Sequence, residues 1–224
     1  MDGLNILFED NHLLVVNKNP GILVQNDKTG DISLLDLCKQ YIKKKYNKKS
    51  NVFLGLVHRI DRPVSGTIIF AKSSKSLSRL NNQFKLRDVK KTYWAIVENA
   101  PHKAHGNLEH YLIKNQQKNK SHAYLKPHTG ALKAVLNYKT LKHLDRYTLL
   151  EINPISGRHH QIRVQLSTIN SIIKGDLKYG AKRSNKDASI CLHAREINFV
   201  HPVKKEVIKI CAPPPKNPIW EACL

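Results

Sequence analysis

The chain has 224 residues, 41% of them hydrophobic, enough to bury a core either as one large domain or as two lobes sharing a sheet. Lysine and arginine number 38 against 17 acids, a formal net charge of +21, and such an excess favours a polyanionic partner, nucleic acid first, because each neutralised phosphate releases counterions. Four cysteines at 38, 191, 211 and 223 make no CxxC pair, and neither a basic-apolar leader nor a membrane-length apolar run occurs, so a disulfide scaffold, a zinc knuckle and a membrane anchor are not expected. The expectation is a soluble cytoplasmic protein.

From the front, "LNILF" and "HLLVVNK" read as short strands, "NPG" at 19 to 21 as a turn and "ILVQ" as a third strand. Ser33 and Asp36 then form a capping-box start for a helix that carries Leu34, Leu37, Cys38 and Tyr41 on one face and ends in the basic run "KKKYNKK". "VFLGLV" and "GTIIFAK" predict two strands around the loop "HRIDRPVSG", and a helix follows from about Ser74 with Leu77, Leu80 and Phe84 at helical spacing. "KKTYWAIVE" alternates as a strand, with Tyr93, Ala95 and Val97 on one face. Further strands are predicted at "LEHYLIK", "SHAYLK", "ALKAVLNYKTL" and "RYTLLEIN". After them "GRHHQIRVQLSTI" turns to helical spacing, and two strands precede the terminal "APPP". The order predicts one α+β domain over 1–224, built on a mixed, mostly antiparallel bent sheet flanked by helices around a central active-site cleft.

Three places could carry chemistry. Asp61 lies between Arg59 and Arg62, with Pro63 stiffening the chain behind it and Gly66 leaving room for a ligand to approach the backbone. Guanidiniums on either side favour the charged carboxylate, which suits a nucleophile or base, but they equally suit an ion pair that staples a turn. In "SGRHHQIRVQL" a helix beginning near Arg158 sets His159 and Arg163 on one face and Arg158 on another, so one arginine can enter a cleft while the other grips phosphate or serves as surface charge. No cysteine or carboxylate stands at ligand spacing from the paired histidines, and no metal is expected there. Tyr93 is either a core strand residue or a platform on which a base could stack.

Taken together these blocks resemble the RluA-type RNA pseudouridine synthase family. "HRIDRPVSG" is similar to that family's H-R-L-D-x-x-T/V-S-G signature. Around it, in matching order, stand "VNKNPGILVQ", "AKSSKSLSRLNNQFKLRDVKKTYWAIV", "GRHHQIRVQL", "GDLKYG", "CLHAREINFVHP" and "APPP". The resemblance implies the pseudouridine synthase fold and an enzyme that isomerises uridines of transfer RNA, large-subunit ribosomal RNA or both, flipping the base out first, without cofactor or metal; a monomer is the default expectation. It assigns the catalytic roles to Asp61, to Tyr93 stacked on the uracil, and to Arg163 paired with the aspartate. Arg59 is implied to fill the gap left by the flipped nucleotide, and Ile190 or Leu192 to wall the base. His58, Arg62, Arg158, His160 and Gln161 are the other motif residues expected on the substrate.

Two positions depart from the family pattern: His159 stands where threonine is usual and Gln165 where histidine is frequent. "STINSIIK" also lacks the usual Gly-x-Pro, and the small basic RNA-binding domain that precedes many family members is not expected here. Two other classes compete with the isomerase. One is an RNA-binding protein that keeps the fold without the chemistry. The other is a glycosidase or nuclease built on Asp61, for which Asp176 is the nearest second carboxylate.

Overall fold

A computed structural model describes residues 4–224 and, among them, eleven β-strands and four α-helices. They divide into two compact units: one ends at Lys90 and resumes over Ala194–Pro215, the other holds Lys91–His193 and Lys216–Leu224. The chain changes unit inside two strands, after the first residue of β5 (Lys90–Val97) and after the second of β10 (Leu192–Val200).

In the first unit β1 (Asn5–Glu9), β2 (Leu13–Lys18), β4 (Ser65–Ala71) and β10 follow one another across the sheet. The two-residue β3 (Gly55–Leu56) pairs with β4, and β11 (Val207–Cys211) with β10. Neighbours β1–β2, β2–β4, β3–β4 and β10–β11 are all antiparallel. The run "LLVVNK" of β2 is buried at every position because the sheet is covered on both faces. Leu13 and Val15 pack with Leu80 of α2 (Ser74–Leu86), while Leu14 and Val16 pack with Leu34, Cys38 and Ile42 of α1 (Leu34–Lys45). Each such fully buried Leu or Ile contributes roughly 1.5–3 kcal/mol of transfer free energy.

Helix α1 starts as its sequence predicts. Ser33 Oγ accepts the Asp36 N–H at 3.3 Å and the Asp36 carboxylate accepts the Ser33 N–H, also at 3.3 Å, a reciprocal cap. Its last turn carries Lys43, Lys44 and Lys45, placed to complement the negative end of the helix dipole. Helix α2 is capped by Ser73, whose hydroxyl accepts the Ser76 N–H, and it is stitched to the end of β10 by Gln83, which bonds both the C=O and the N–H of Val200.

The strands of the second unit follow the order β5, β9 (Thr148–Pro154), β8 (Leu132–His143), β6 (His105–Asn115), β7 (Lys120–Tyr124), every neighbour antiparallel. Helix α3 (Gln161–Thr168) seats Val164 against Leu112 of β6, Ala134 of β8 and Tyr179 of a 3-10 turn, Leu177–Tyr179. A short α4 (Pro218–Glu221) follows the proline run, capped by Asn217.

Three local expectations give way. "ILVQ" forms no strand, because Leu23 and Val24 spend their carbonyls on the N–H groups of Leu34 and Leu35 that open α1. "VFLGLV" keeps only the two residues of β3 in a ladder. Helix α3 begins at Gln161, not near Arg158, because His160 takes a left-handed conformation at φ 52° and Gln161 Oε1 accepts the Arg158 N–H, pinning the preceding loop. His159 therefore lies before the helix and does not share a helical face with Arg163.

Candidate active site

In the first unit the loop carrying Asp61 is bound to the turn that follows β2. The Gly21 N–H donates to Arg62 O at 2.8 Å, and Arg62 Nε returns a bond to Gly21 O at 2.9 Å. The Asp61 carbonyl accepts the Val64 N–H at 3.1 Å, closing a turn that leaves the half-buried Asp61 side chain at its head. Lys18, the last residue of β2, lies beneath. Its fully buried ammonium donates to the carbonyls of Asn19 at 3.0 Å, Ile22 at 2.8 Å and Arg62 at 3.0 Å.

Burial draws the Lys18 pKa down to about 7, while the negative charge of Asp61 works to raise it and the positive charge of Arg62 to lower it. Three carbonyl acceptors claim all three ammonium protons, and a neutral amine would turn a lone pair on one of them, so the hydrogen bonding selects the charged form. Asp61 thus feels a cation from β2 that adjacency in sequence does not reveal. Arg62 sends its guanidinium elsewhere, to Asp31 at 2.8 Å. Arg59 is exposed. His58 faces inward: its Nε2 accepts the Ile69 N–H at 3.1 Å and its ring stacks on Phe84 with centroids 5.0 Å apart. Gly66 has φ 121°, and a Cβ there would collide with the backbone of Ala194 on β10, so this glycine serves strand packing where the sequence suggested room for a ligand.

In the second unit Tyr93 sits half-buried on β5, opposite Ile152 of β9. Arg163, near the start of α3, makes a two-pronged pair with Asp176: Nε to Oδ2 at 2.7 Å and Nη2 to Oδ1 at 2.8 Å, with the side chains 5% and 1% exposed. The same guanidinium lies 5.1 Å from the centre of the Tyr179 ring. Tyr179 Oη accepts the Ser121 N–H at 2.8 Å and lies 2.9 Å from His160 Nδ1. The fork thus fixes the direction of Arg163, with a buried tyrosine ring beside it.

The remaining motif residues of this unit mostly serve the loop before α3. Gln161 Oε1 accepts from the Ser156 hydroxyl at 2.8 Å and its Nε2 donates to Val135 O at 3.1 Å. Arg158 Nε donates to Lys133 O at 3.2 Å. His160 is stacked on His159, centroids 3.8 Å apart. Ile190 and Leu192 are 6% and 3% exposed. Both departures from the family pattern have structural uses: His159 lies within hydrogen-bond distance of Ser121 Oγ, 2.8 Å, and Asn119 Oδ1, 3.1 Å, while Gln165 Nε2 donates to Leu108 O and Ala134 O, joining α3 to β6 and β8.

Sequence reasoning missed Lys18 and the support role of Asp176 and Tyr179. A lysine closing a strand buried on both faces was the available signal for the first, and the "GDLKYG" block for the others. Among the described residues no group of three or more His, Cys, Asp or Glu is placed to hold a metal ion, and no helix is long and apolar enough to cross a membrane.

Residues 12–168 match the sequence profile of the RNA pseudouridylate synthase family, a span that contains Asp61, Tyr93 and Arg163. The chain belongs to this family. A ribosomal large subunit pseudouridine synthase C of Buchnera aphidicola from Baizongia pistaciae is 35% identical over 216 residues, 93% of this chain and 66% of that one. An RNA pseudouridine synthase of Bacillus subtilis, named without a substrate, is 33% identical over 218 residues, 96% of this chain and 70% of that one. The chain thus spans about two thirds of the length of the curated pseudouridine synthases it matches. Among solved structures, the human RNA pseudouridylate synthase domain containing 4 superposes with a TM-score of 0.79 at 25% identity, covering 95% of this chain and 89% of the other. The α+β architecture described above is therefore that of a pseudouridine synthase domain.

Proposed function

We propose that this chain isomerises uridine to pseudouridine within large-subunit ribosomal RNA, in the cytoplasm and without a cofactor. The observation that carries the reading is the family match across residues 12–168, which includes the acid, the aromatic and the cation of the expected reacting set. The ribosomal substrate follows the printed names of the relatives. A uridine stacked in RNA hides its glycosidic bond, so the nucleotide is flipped out first, at a cost of a few kcal/mol of unstacking. The bond between the ribose anomeric carbon and uracil N1 then breaks, the ring turns, and a bond forms between the same sugar carbon and uracil C5. N1 gains a proton and the C5 hydrogen leaves to solvent, so the reaction is balanced without redox chemistry.

In this proposal Asp61 is the reacting carboxylate, Tyr93 stacks on the uracil and assists loss of the C5 proton, and Arg163 holds the aspartate's charge. Arg59, exposed on its loop, fills the space the nucleotide leaves. Lys18, His58 and Gln161 act as positioning residues, since their polar groups bind the chain itself.

Release of tritium from RNA labelled at uracil C5 tests the reaction, because binding alone releases none. Asp61→Asn and Asp61→Ala are expected to abolish release on an in vitro transcript of large-subunit ribosomal RNA while RNA binding stays within a few-fold of wild type. Turnover persisting in either variant overturns the role of Asp61. Mapping pseudouridines in total RNA with and without the gene names the site, and a missing position in transfer RNA alone overturns the ribosomal assignment.

A further inference from the structure

Lys91 is the second residue of β5, and alternation along the strand puts it on the same face as Tyr93. Its side chain is half-buried, and among the described residues no hydrogen bond or ion pair holds its ammonium. Burial alone lowers its pKa, with no neighbouring charge among the causes. Other lysines of the molecule are provided for: Lys133 has Glu109 at 2.6 Å, Lys139 has Glu151 at 3.0 Å, and Lys18 has its three carbonyls. A cation drawn out of water without a counter-group is a cost that folding alone does not justify.

The ammonium borders open space. A Cβ added to Gly157, an exposed residue of the loop before α3, would have Lys91 Nζ as its single neighbour within 4 Å, at 3.8 Å. Bare backbone and an unpaired cation therefore face the same volume. An ammonium with three donors and no acceptor is matched by a fully charged group bearing several acceptor oxygens.

We propose that Lys91 and the exposed backbone at Gly157 bind a phosphate of the RNA, on the nucleotide whose base stacks on Tyr93. The identity of the RNA and the stacking role of Tyr93 rest on the isomerase reading above. Residues two apart on a strand are separated by about 6.6–6.8 Å. A nucleotide likewise holds its phosphate to one side of its base, so a platform at Tyr93 and a cation at Lys91 address two parts of one nucleotide.

The test uses the full chain and the large-subunit ribosomal RNA transcript. Lys91→Met is expected to lower affinity by about ten- to a hundredfold and to make the slope of log Kobs against log salt shallower by about 0.7, the share of one single-strand phosphate. Its Tm is expected to equal or exceed that of wild type, because an unpaired cation has been removed. Lys91→Arg should keep the salt slope, and Gly157→Val should weaken binding by filling the volume. Wild-type affinity and slope in Lys91→Met, or a lowered Tm with an unchanged slope, overturns the site. Tritium release by wild type on the same transcript reports separately on the reaction: no release alongside a Lys91-dependent slope removes the isomerase reading and leaves the phosphate site standing.

Discussion

Arg163 and Asp176 illustrate how little of a side chain's role is written beside it in sequence. The guanidinium is 5% exposed and its partner carboxylate 1%, so neither charge has water to fall back on. Breaking such a pair from one side costs far more than the pair contributes, since the surviving charge stays buried. Asp176→Asn is expected to destabilise the protein by about 3–5 kcal/mol, read from the urea midpoint, and to cut tritium release at least tenfold by freeing the direction of Arg163. A wild-type midpoint in that variant would mean the guanidinium has re-paired. The same reasoning removes Asp176 as a second carboxylate for glycoside hydrolysis, because both its oxygens are committed to Arg163. Arg62 is the converse case: its neighbour Asp61 suggested a local pair, and the fold gives its guanidinium to Asp31.

Among the elements, α1 is tied to the sheet by one acid. Glu9, ending β1, accepts from Lys45 at 2.7 Å, Tyr46 at 2.8 Å, Tyr41 at 2.9 Å and Lys72, just past β4, at 2.9 Å. Burial works to raise its pKa, but the four donors overrule it and hold the carboxyl down to about 2 against an ordinary 4.5. An acid depressed by folding contributes its stability in full above the unfolded value and loses it on protonation. Stability should therefore fall as pH drops from about 4.5 through about 2. Glu9→Gln should lower the urea midpoint at neutral pH and flatten that acid limb, and an unchanged limb would place the titration elsewhere. Periodicity and capping made α1, α2 and most strands legible, because those signals lie within a few residues of one another. "ILVQ" was misread because its β-branched and apolar content says nothing about the helix start that takes its carbonyls.

Over the whole molecule the net charge of +21 is the ground for expecting a salt-sensitive affinity for RNA. If six to ten phosphates are engaged, affinity for the transcript is expected to fall by about 10³–10⁵ between 50 and 200 mM salt, measured by filter binding. A flat salt profile would mean the lysines are surface composition without a polyanion to meet. From the sequence alone came the α+β class, the basic character and the ordered motif blocks that carry family membership, all local patterns or sums that survive without coordinates. Only the tertiary structure decided that Lys18 reaches Arg62 across 44 positions, that Arg163 takes Asp176, that His58 and Gln161 turn inward, and that Lys91 stands beside Gly157 without a partner. The physical reason is reach: hydrophobic periodicity is set by each residue's own neighbours, whereas a buried polar group takes whichever donor or acceptor the fold brings within about 3 Å.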